Sequence, residues 1–233
     1  MPQKLDSPLR TVETDESPLV SVRDRFTLVV FGAPKVGKTT IVQQFLYGSA
    51  PEKYTATIEE FHQGEMEFDG TSVMLDIIDT SGAMEFPAQQ QLNMQKADAF
   101  LLVFSYNNRD SFEQICQLRE SILKLNRKEP KMVVVGNKGD LLEESPERCA
   151  ITRELAESLA VLDWEVGFVH CWARENRCIV DIFNRLLTLC GVPYELPEKP
   201  KKSKQRKSSI PTFVASPSDP KIAGRRHNSC NIS

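Results

Sequence analysis

The stretch Gly32-Ala33-Pro34-Lys35-Val36-Gly37-Lys38-Thr39 decides the fold. It follows the apolar run Phe26–Phe31 and leads at once into the apolar segment Ile41–Leu46, so that strand, glycine-framed loop and helix succeed one another without a gap. Each residue type has a physical task. The glycines let the backbone wrap closely with its N–H groups aimed inward, and the start of the following helix adds partial positive charge. Anionic phosphate fits such a loop. Lys38 offers a point charge to β- and γ-phosphates, and the Thr39 hydroxyl is a hard oxygen ligand suited to Mg2+. A glycine-rich turn with a stray lysine would account for the loop alone, but not for its strand and helix flanks.

Outward from this loop, short β-branched or apolar runs at Val73–Ile78, Ala99–Phe104, Met132–Val135 and Val166–Val169 alternate with helix-like segments near 38–47, 111–126, 152–161 and 176–190. That alternation predicts βαβ units around a mostly parallel sheet. The exception is Glu59–Phe68, which alternates polar and apolar residues and meets Val73–Ile78 across the tight-turn dipeptide Asp69-Gly70, so an antiparallel edge hairpin is expected there. In 111–126, Phe112, Ile115, Leu118, Ile122 and Leu125 recur at helical spacing behind Ser111, read as the N-cap, and plain core packing explains them. The expected fold class is α/β: a phosphate-loop nucleotide-binding domain with a six-stranded, mostly parallel sheet, one antiparallel edge strand and helices on both faces.

Composition limits what the domain does. The chain has 233 residues, of which 40% are hydrophobic and 26% charged, enough for one sizeable core. Residues 195–233 carry nine Lys/Arg against three acids, a net +6, which leaves −9 for residues 1–194. An acidic body argues against nucleic-acid binding, because duplex affinity is mostly phosphate neutralisation by Lys and Arg. The six cysteines form no C-x-x-C pair or secretory framework, so a reducing cytosol is expected. His62, His170 and His227 lack metal-ligand spacing, and Cys116, Cys171, Cys178 and Cys190 are read as core thiols. Trp164 and Trp172 flank Val166–Val169 and are read as packing anchors. No apolar run approaches the about 20 residues that cross a bilayer. Residues 1–22 and the Lys/Ser/Pro-rich tail cannot bury enough apolar area to offset their ordering entropy. The division expected is a disordered extension at 1–22, a folded domain at 23–192 and a disordered tail at 193–233.

A phosphate loop does not choose among nucleotides; Asn137-Lys138-Gly139-Asp140, at the end of the strand Met132–Val135, does. A carboxylate there accepts two hydrogen bonds from the N1–H and exocyclic amine of guanine, whereas adenine leaves it unpaired at a cost of about 1–3 kcal/mol.

GAPKVGKT, YTATIEEF, DTSG and NKGD stand in the order and approximate spacing of the Ras superfamily of small GTPases, which the chain resembles over about residues 26–190. DTSG followed by Glu85-Phe86-Pro87-Ala88, the run FSYNNRDSFEQ and the terminal CNIS are most similar to the dexamethasone-induced Ras-related and Rhes subgroup. The resemblance implies a Ras-type G domain that binds GTP and GDP. Its expected nucleotide contacts are Gly32, Ala33, Pro34, Lys35, Val36, Gly37, Lys38, Thr39, Thr40, Asp79, Gly82, Asn137, Lys138, Asp140, Ala173 and Arg174. It implies Mg2+ on Thr39 and Thr57, with Asp79 acting through water. Lys38 and the Gly82 N–H are implied to contact the γ-phosphate, whose loss would release the loops of Thr57 and Gly82. Tyr54, Thr55, Ala56, Thr57, Ile58, Glu59, Glu60 and Phe61 are the implied effector surface, with Glu59–Phe68 open to β-augmentation. The implied protein is a monomeric switch that meets effector proteins there.

Five positions depart from the family pattern. Ala83 stands where a Gln orients the attacking water, which predicts slow hydrolysis. Pro34 replaces the glycine that admits an incoming arginine finger, which predicts insensitivity to Ras-type activating proteins. Ala50 replaces an aromatic that packs on guanine, and Cys171 and Trp172 replace hydroxyl neighbours of Ala173, which together predict fast exchange.

The terminal Cys230-Asn231-Ile232-Ser233 fits C-a-a-X loosely, with polar Asn231 at an aliphatic place, and Ile232 with Ser233 favours farnesylation. Lys199-Pro200-Lys201-Lys202-Ser203-Lys204-Gln205-Arg206-Lys207 adds a second signal, at about 1 kcal/mol per basic residue near anionic lipid. A solvated linker or a nuclear-localisation segment is the other reading of that run. The expected location is the cytoplasmic face of the plasma membrane, with a cytosolic pool. Two readings stand at this point: a slow GTP hydrolase used as a switch, and a non-catalytic, nucleotide-bound interaction module at the membrane.

Overall fold

A computed structural model of the chain describes residues 25–192, other than 56, 69–70 and 83–86, together with Leu196. The expectations for 1–22, Ala56, the Asp69-Gly70 turn, Ala83, the polybasic run and Cys230 lie outside the described residues.

The elements are β1 (Arg25–Phe31), α1 (Lys38–Tyr47), β2 (Glu59–Phe68), β3 (Thr71–Thr80), α2 (Pro87–Lys96), β4 (Ala99–Ser105), α3 (Arg109–Leu125), β5 (Lys131–Asn137), α4 (Asp140–Glu144), α5 (Arg153–Ser158), β6 (Gly167–His170) and α6 (Ile179–Leu189). They build one six-stranded sheet in the order β2-β3-β1-β4-β5-β6. The pairs β1/β3, β1/β4, β4/β5 and β5/β6 are parallel. The exception is β2, antiparallel to β3 from Glu59 opposite Thr80 to Phe68 opposite Thr71. The sheet is the mostly parallel one expected, with one antiparallel edge strand.

Alternation along the central strands supplies two cores, one on each face. Leu28 and Val30, Leu101 and Val103, Val133 and Val135 bury toward α1 and α6, where they meet Ile41, Phe45, Ile182 and Phe183. Their sequence neighbours Val29 and Phe31, Phe100 and Leu102, Met132 and Val134 bury on the other face against Met94, Phe112, Ile115 and Ile122 of α2 and α3. Because both faces are covered, β1, β4 and β5 read as continuous apolar runs while β2, at the edge, alternates. The rings of Phe45 and Phe183 stack with centroids 3.5 Å apart, locking α1 onto α6 behind the phosphate loop. Such aromatic pairs add about 0.5–1.5 kcal/mol beyond their buried area. Leu196, past the expected boundary at 192, is buried in the same core and its N–H donates to Asn184 Oδ1 at 2.7 Å.

Several local expectations change. Asn108, not Ser111, caps α3: its Oδ1 accepts the Ser111 N–H at 3.0 Å, and Ser111 lies inside the first turn with its hydroxyl donating to the Asn108 carbonyl at 2.6 Å. Both residues are capping types, and the one that follows the turn after β4 takes the cap. Helix α2 carries no apolar period and buries only Asn93 and Met94, so the pattern gave no sign of it. The segment 152–161 is α-helical only to Ser158 and widens into a π turn over Leu159–Asp163. Among the core thiols, Cys171 is buried, whereas Cys116, Cys178 and Cys190 are half-buried.

Candidate functional site

The C-terminal ends of β1, β3, β5 and β6 open on one edge of the sheet, the edge where α/β sheets hold ligands. Between them lies a cleft of about 1000 Å3. Residues of the phosphate loop, Pro51, Lys53, Tyr54, Thr55, Thr57 and Ile58 from the segment after α1, Thr80–Gly82, Asn137, Lys138, Asp140 and Trp172–Glu175 line it.

At the phosphate end, Gly37 occupies the N-cap of α1 at φ 103, and no side chain caps the helix. The first N–H groups of α1 are therefore open to an anion. Gly32, at φ 147, sits where an added Cβ would stand 2.0 Å from the Val103 carbonyl oxygen, so only glycine lets the loop turn off β1. The Lys38 ammonium is buried and donates to the carbonyls of Gly32 and Ala33, both at 2.9 Å. These are neutral acceptors, and desolvation pulls its pKa down to about 8 against the pull of Asp79. A buried cation without an adjacent anion is costly, and a phosphate would remove that cost.

Asp79, at the end of β3, presents the opposite charge. It is fully buried, and desolvation lifts its pKa to about 6 although the Thr39 hydroxyl donates to Oδ2 at 2.6 Å. Oδ1 has no hydrogen-bond partner. The Thr39 and Thr57 hydroxyl oxygens are 2.9 Å apart. Two hydroxyls and a carboxylate with a free oxygen form a hard-oxygen donor set that suits Mg2+. Gly82 closes the same end: a Cβ there would meet the backbone of Ala33 and Pro34 at 2.2–2.5 Å, so its close approach to the loop requires a glycine.

The base end joins two segments. Asn137 Nδ2 donates to the Val36 carbonyl at 2.7 Å, while its Oδ1 accepts the Ala173 N–H at 3.1 Å and the Cys171 thiol at 3.4 Å. One buried side chain thus ties the phosphate loop to both base segments. Gln44 of α1 adds a second tie, donating to the Arg174 carbonyl at 3.2 Å. Lys138 stands at φ 61 with its pKa lowered by desolvation, and Asp140 lines the cleft beside it.

The structure brings Pro34, Lys35, Gly37, Lys38, Thr39 and Thr40 into the cleft wall with Thr57, Gly82, Asn137, Lys138, Asp140, Ala173 and Arg174. Gly32, Ala33, Val36 and Asp79 stand behind that wall and act on it through the bonds above. Of the expected effector residues, Tyr54, Thr55, Ile58 and Glu60 reach the cleft rim, Tyr54 and Ile58 are strongly exposed, and Glu59 and Phe61 lie on β2. Sequence reasoning missed Gln43 and Lys53 as lining residues, and it placed Trp172 beside Ala173 in the base loop but read its ring as a packing anchor. Trp172 is more than a packing anchor: the Arg177 guanidinium lies 4.0 Å from its ring centroid, His170 meets it edge-on, and a side chain on Gly139 would press on it at 3.1 Å. Its buried indole Nε1 has no hydrogen-bond partner. Its position one residue before Ala173 was the available signal.

A glycine-framed loop, an open helix start, a buried cation and a buried carboxylate not bonded to each other, and a separate base loop on one sheet edge define the class of phosphate-loop nucleotide-binding proteins. Within it, the chain belongs to the Ras family, whose model matches residues 27–190. It is 35% identical over 189 residues to the human protein named GTP-binding protein Rhes, covering 76% of this chain and 69% of that one. It is 34% identical over 186 residues to the mouse protein of the same name, with the same coverage of each chain. It is thus a Rhes-like member of the Ras superfamily of GTPases.

Proposed function

We propose that the cleft binds GTP and GDP with Mg2+ and that the chain is a membrane-held signalling switch with slow hydrolysis. The observation that carries this reading is the facing pair of buried charges, a Lys38 ammonium on neutral carbonyls and an Asp79 carboxylate with a free oxygen, each lacking the partner that a magnesium nucleotide supplies. Lys38 and the N–H groups of the loop hold the β- and γ-phosphates. Thr39 and Thr57 offer direct ligands to Mg2+, and Asp79 acts through water. When bound, Mg2+ neutralises charge on the phosphate oxygens. Asp140 reads the guanine N1–H and amine, and the N–H of Ala173 meets the guanine oxygen, with Lys138 and Arg174 beside the ring.

Hydrolysis is slow because Ala83 offers no side chain to orient water, and Pro34 crowds the place an arginine finger would use. Exchange is fast because Ala50 gives no aromatic cover to the base. The segment Tyr54–Phe61 presents the effector surface, and β2 offers an edge for β-augmentation. No helix among the described residues is long and apolar enough to cross a membrane, so the attachment rests on Cys230 and the polybasic run. The nucleotide content of purified protein, followed by GDP release and single-turnover GTP cleavage, tests the reading. Bound guanine nucleotide with slow cleavage supports it; brisk cleavage overturns the hydrolysis claim, and no cleavage at all favours the non-catalytic module.

A further inference from the structure

Lys35 and Tyr54 meet across the mouth of the phosphate end. Lys35 belongs to the phosphate loop and Tyr54 to the segment between α1 and β2, and the Lys35 ammonium lies 5.7 Å from the centroid of the Tyr54 ring. Both side chains line the cleft, and both are exposed, Tyr54 by 60%. An exposed lysine is ordinarily left to water, and two features set this one apart.

The first is its backbone. Lys35 stands at φ 62, a left-handed conformation that a residue with a side chain seldom adopts, and such strain persists where the surroundings fix it. Here the loop's inward wrap fixes it, and the side chain stands at the rim beside Tyr54. The second is the charge of the ligand. The cleft below is built for phosphate, so a bound nucleotide draws the Lys35 ammonium toward the same place as the aromatic face, and the two attractions reinforce each other.

The geometry points to a latch: the Lys35 ammonium, held on the Tyr54 ring, ties the 51–58 segment to the phosphate loop over the bound nucleotide and slows its release. This rests on the nucleotide-binding reading above. The latch offsets part of the retention lost at Ala50. It also couples retention to the expected effector surface, since a partner that takes the Tyr54 ring frees the lysine.

The test is release of tritiated GDP from the magnesium-loaded full chain into excess unlabelled GDP. Lys35→Ala is expected to release GDP about fivefold faster, the equivalent of about 1 kcal/mol of cation–π attraction. Tyr54→Ala should match it. Lys35→Arg and Tyr54→Phe keep a cation and a ring and should release GDP at the rate of the unmodified chain. The double variant Lys35→Ala/Tyr54→Ala should release no faster than either single one, because both remove the same contact. A purely structural role for either residue would not give that non-additivity. The latch is overturned if Lys35→Ala releases GDP within twofold of the unmodified chain, or if the double variant multiplies the two single effects. An unmodified chain that takes up no GDP at saturating concentration overturns the nucleotide-binding reading, and the latch with it.

Discussion

The two ends of the cleft are built differently. The phosphate end comes from one contiguous segment, Gly32–Thr39, closed by Asp79 from the neighbouring strand, and its tension is electrostatic: a buried cation and a buried carboxylate each wait for a partner. The base end is assembled from two segments, 137–140 and 171–174, that meet only because β5 and β6 lie side by side, and hydrogen bonds through Asn137 hold it together. The difference teaches where each kind of damage should appear. Loss of charge at the first end should cost ligand affinity, and loss of a bond at the second should also cost the fold.

Lys38→Ala gives the largest expected effect. Two charge-assisted contacts, to the β- and γ-phosphates, of about 2 kcal/mol each are lost, so calorimetry should find magnesium-GTP binding weakened roughly 1000-fold. A loss below tenfold would mean that the ammonium does not serve the phosphates. Asn137→Ala comes next, because it leaves the Val36 carbonyl and the Ala173 N–H without their partner at both ends at once. Two buried polar groups left unpaired cost about 3 kcal/mol together, a drop of about 5–10 °C in melting temperature for a domain of this size. An unchanged melting curve would show the two ends to be independent.

Asp140→Ala separates recognition from grip. GDP affinity should fall about 10- to 100-fold, from the loss of about 2 kcal/mol at the base, while inorganic pyrophosphate binds as before. Equal loss for both ligands would place Asp140 in the structure of the loop instead. The smallest effect concerns Asp79. Its carboxyl is raised from its ordinary value to about 6, so the folded chain takes up a proton before the unfolded chain does as pH falls. Without metal or nucleotide, stability should therefore rise by about 1 kcal/mol between pH 7 and pH 5, relative to Asp79→Asn. Magnesium affinity should fall over the same window, because proton and metal compete for the carboxylate. Thermal melts in chelator at both pH values check the sign.

The same contrast explains what was legible in the sequence. The strand–loop–helix around Gly32–Thr39 is local, and so were the six strands, whose apolar runs or alternation follow from burial on two faces or one. The Asn137-Lys138-Gly139-Asp140 segment was legible by its chemistry, and its strand-end position followed from the alternation. The clamp on Trp172 was not: Arg177 and His170 are near it in sequence, but no periodicity says that they pack on its ring. Helix α2 was invisible because it buries almost nothing apolar, and the α3 cap was misread because Asn108 and Ser111 compete for one place. The hydrogen bonds of Asn137 join residues that only the fold brings together.

Calorimetry of the full chain with GDP and then ADP, each with Mg2+, tests the central claim most directly. Strong binding of GDP and at least tenfold weaker binding of ADP are expected, since both carry the β-phosphate that Lys38 holds and only guanine offers Asp140 its two donors. Equal heats for the two nucleotides, or none for GDP, would contradict it.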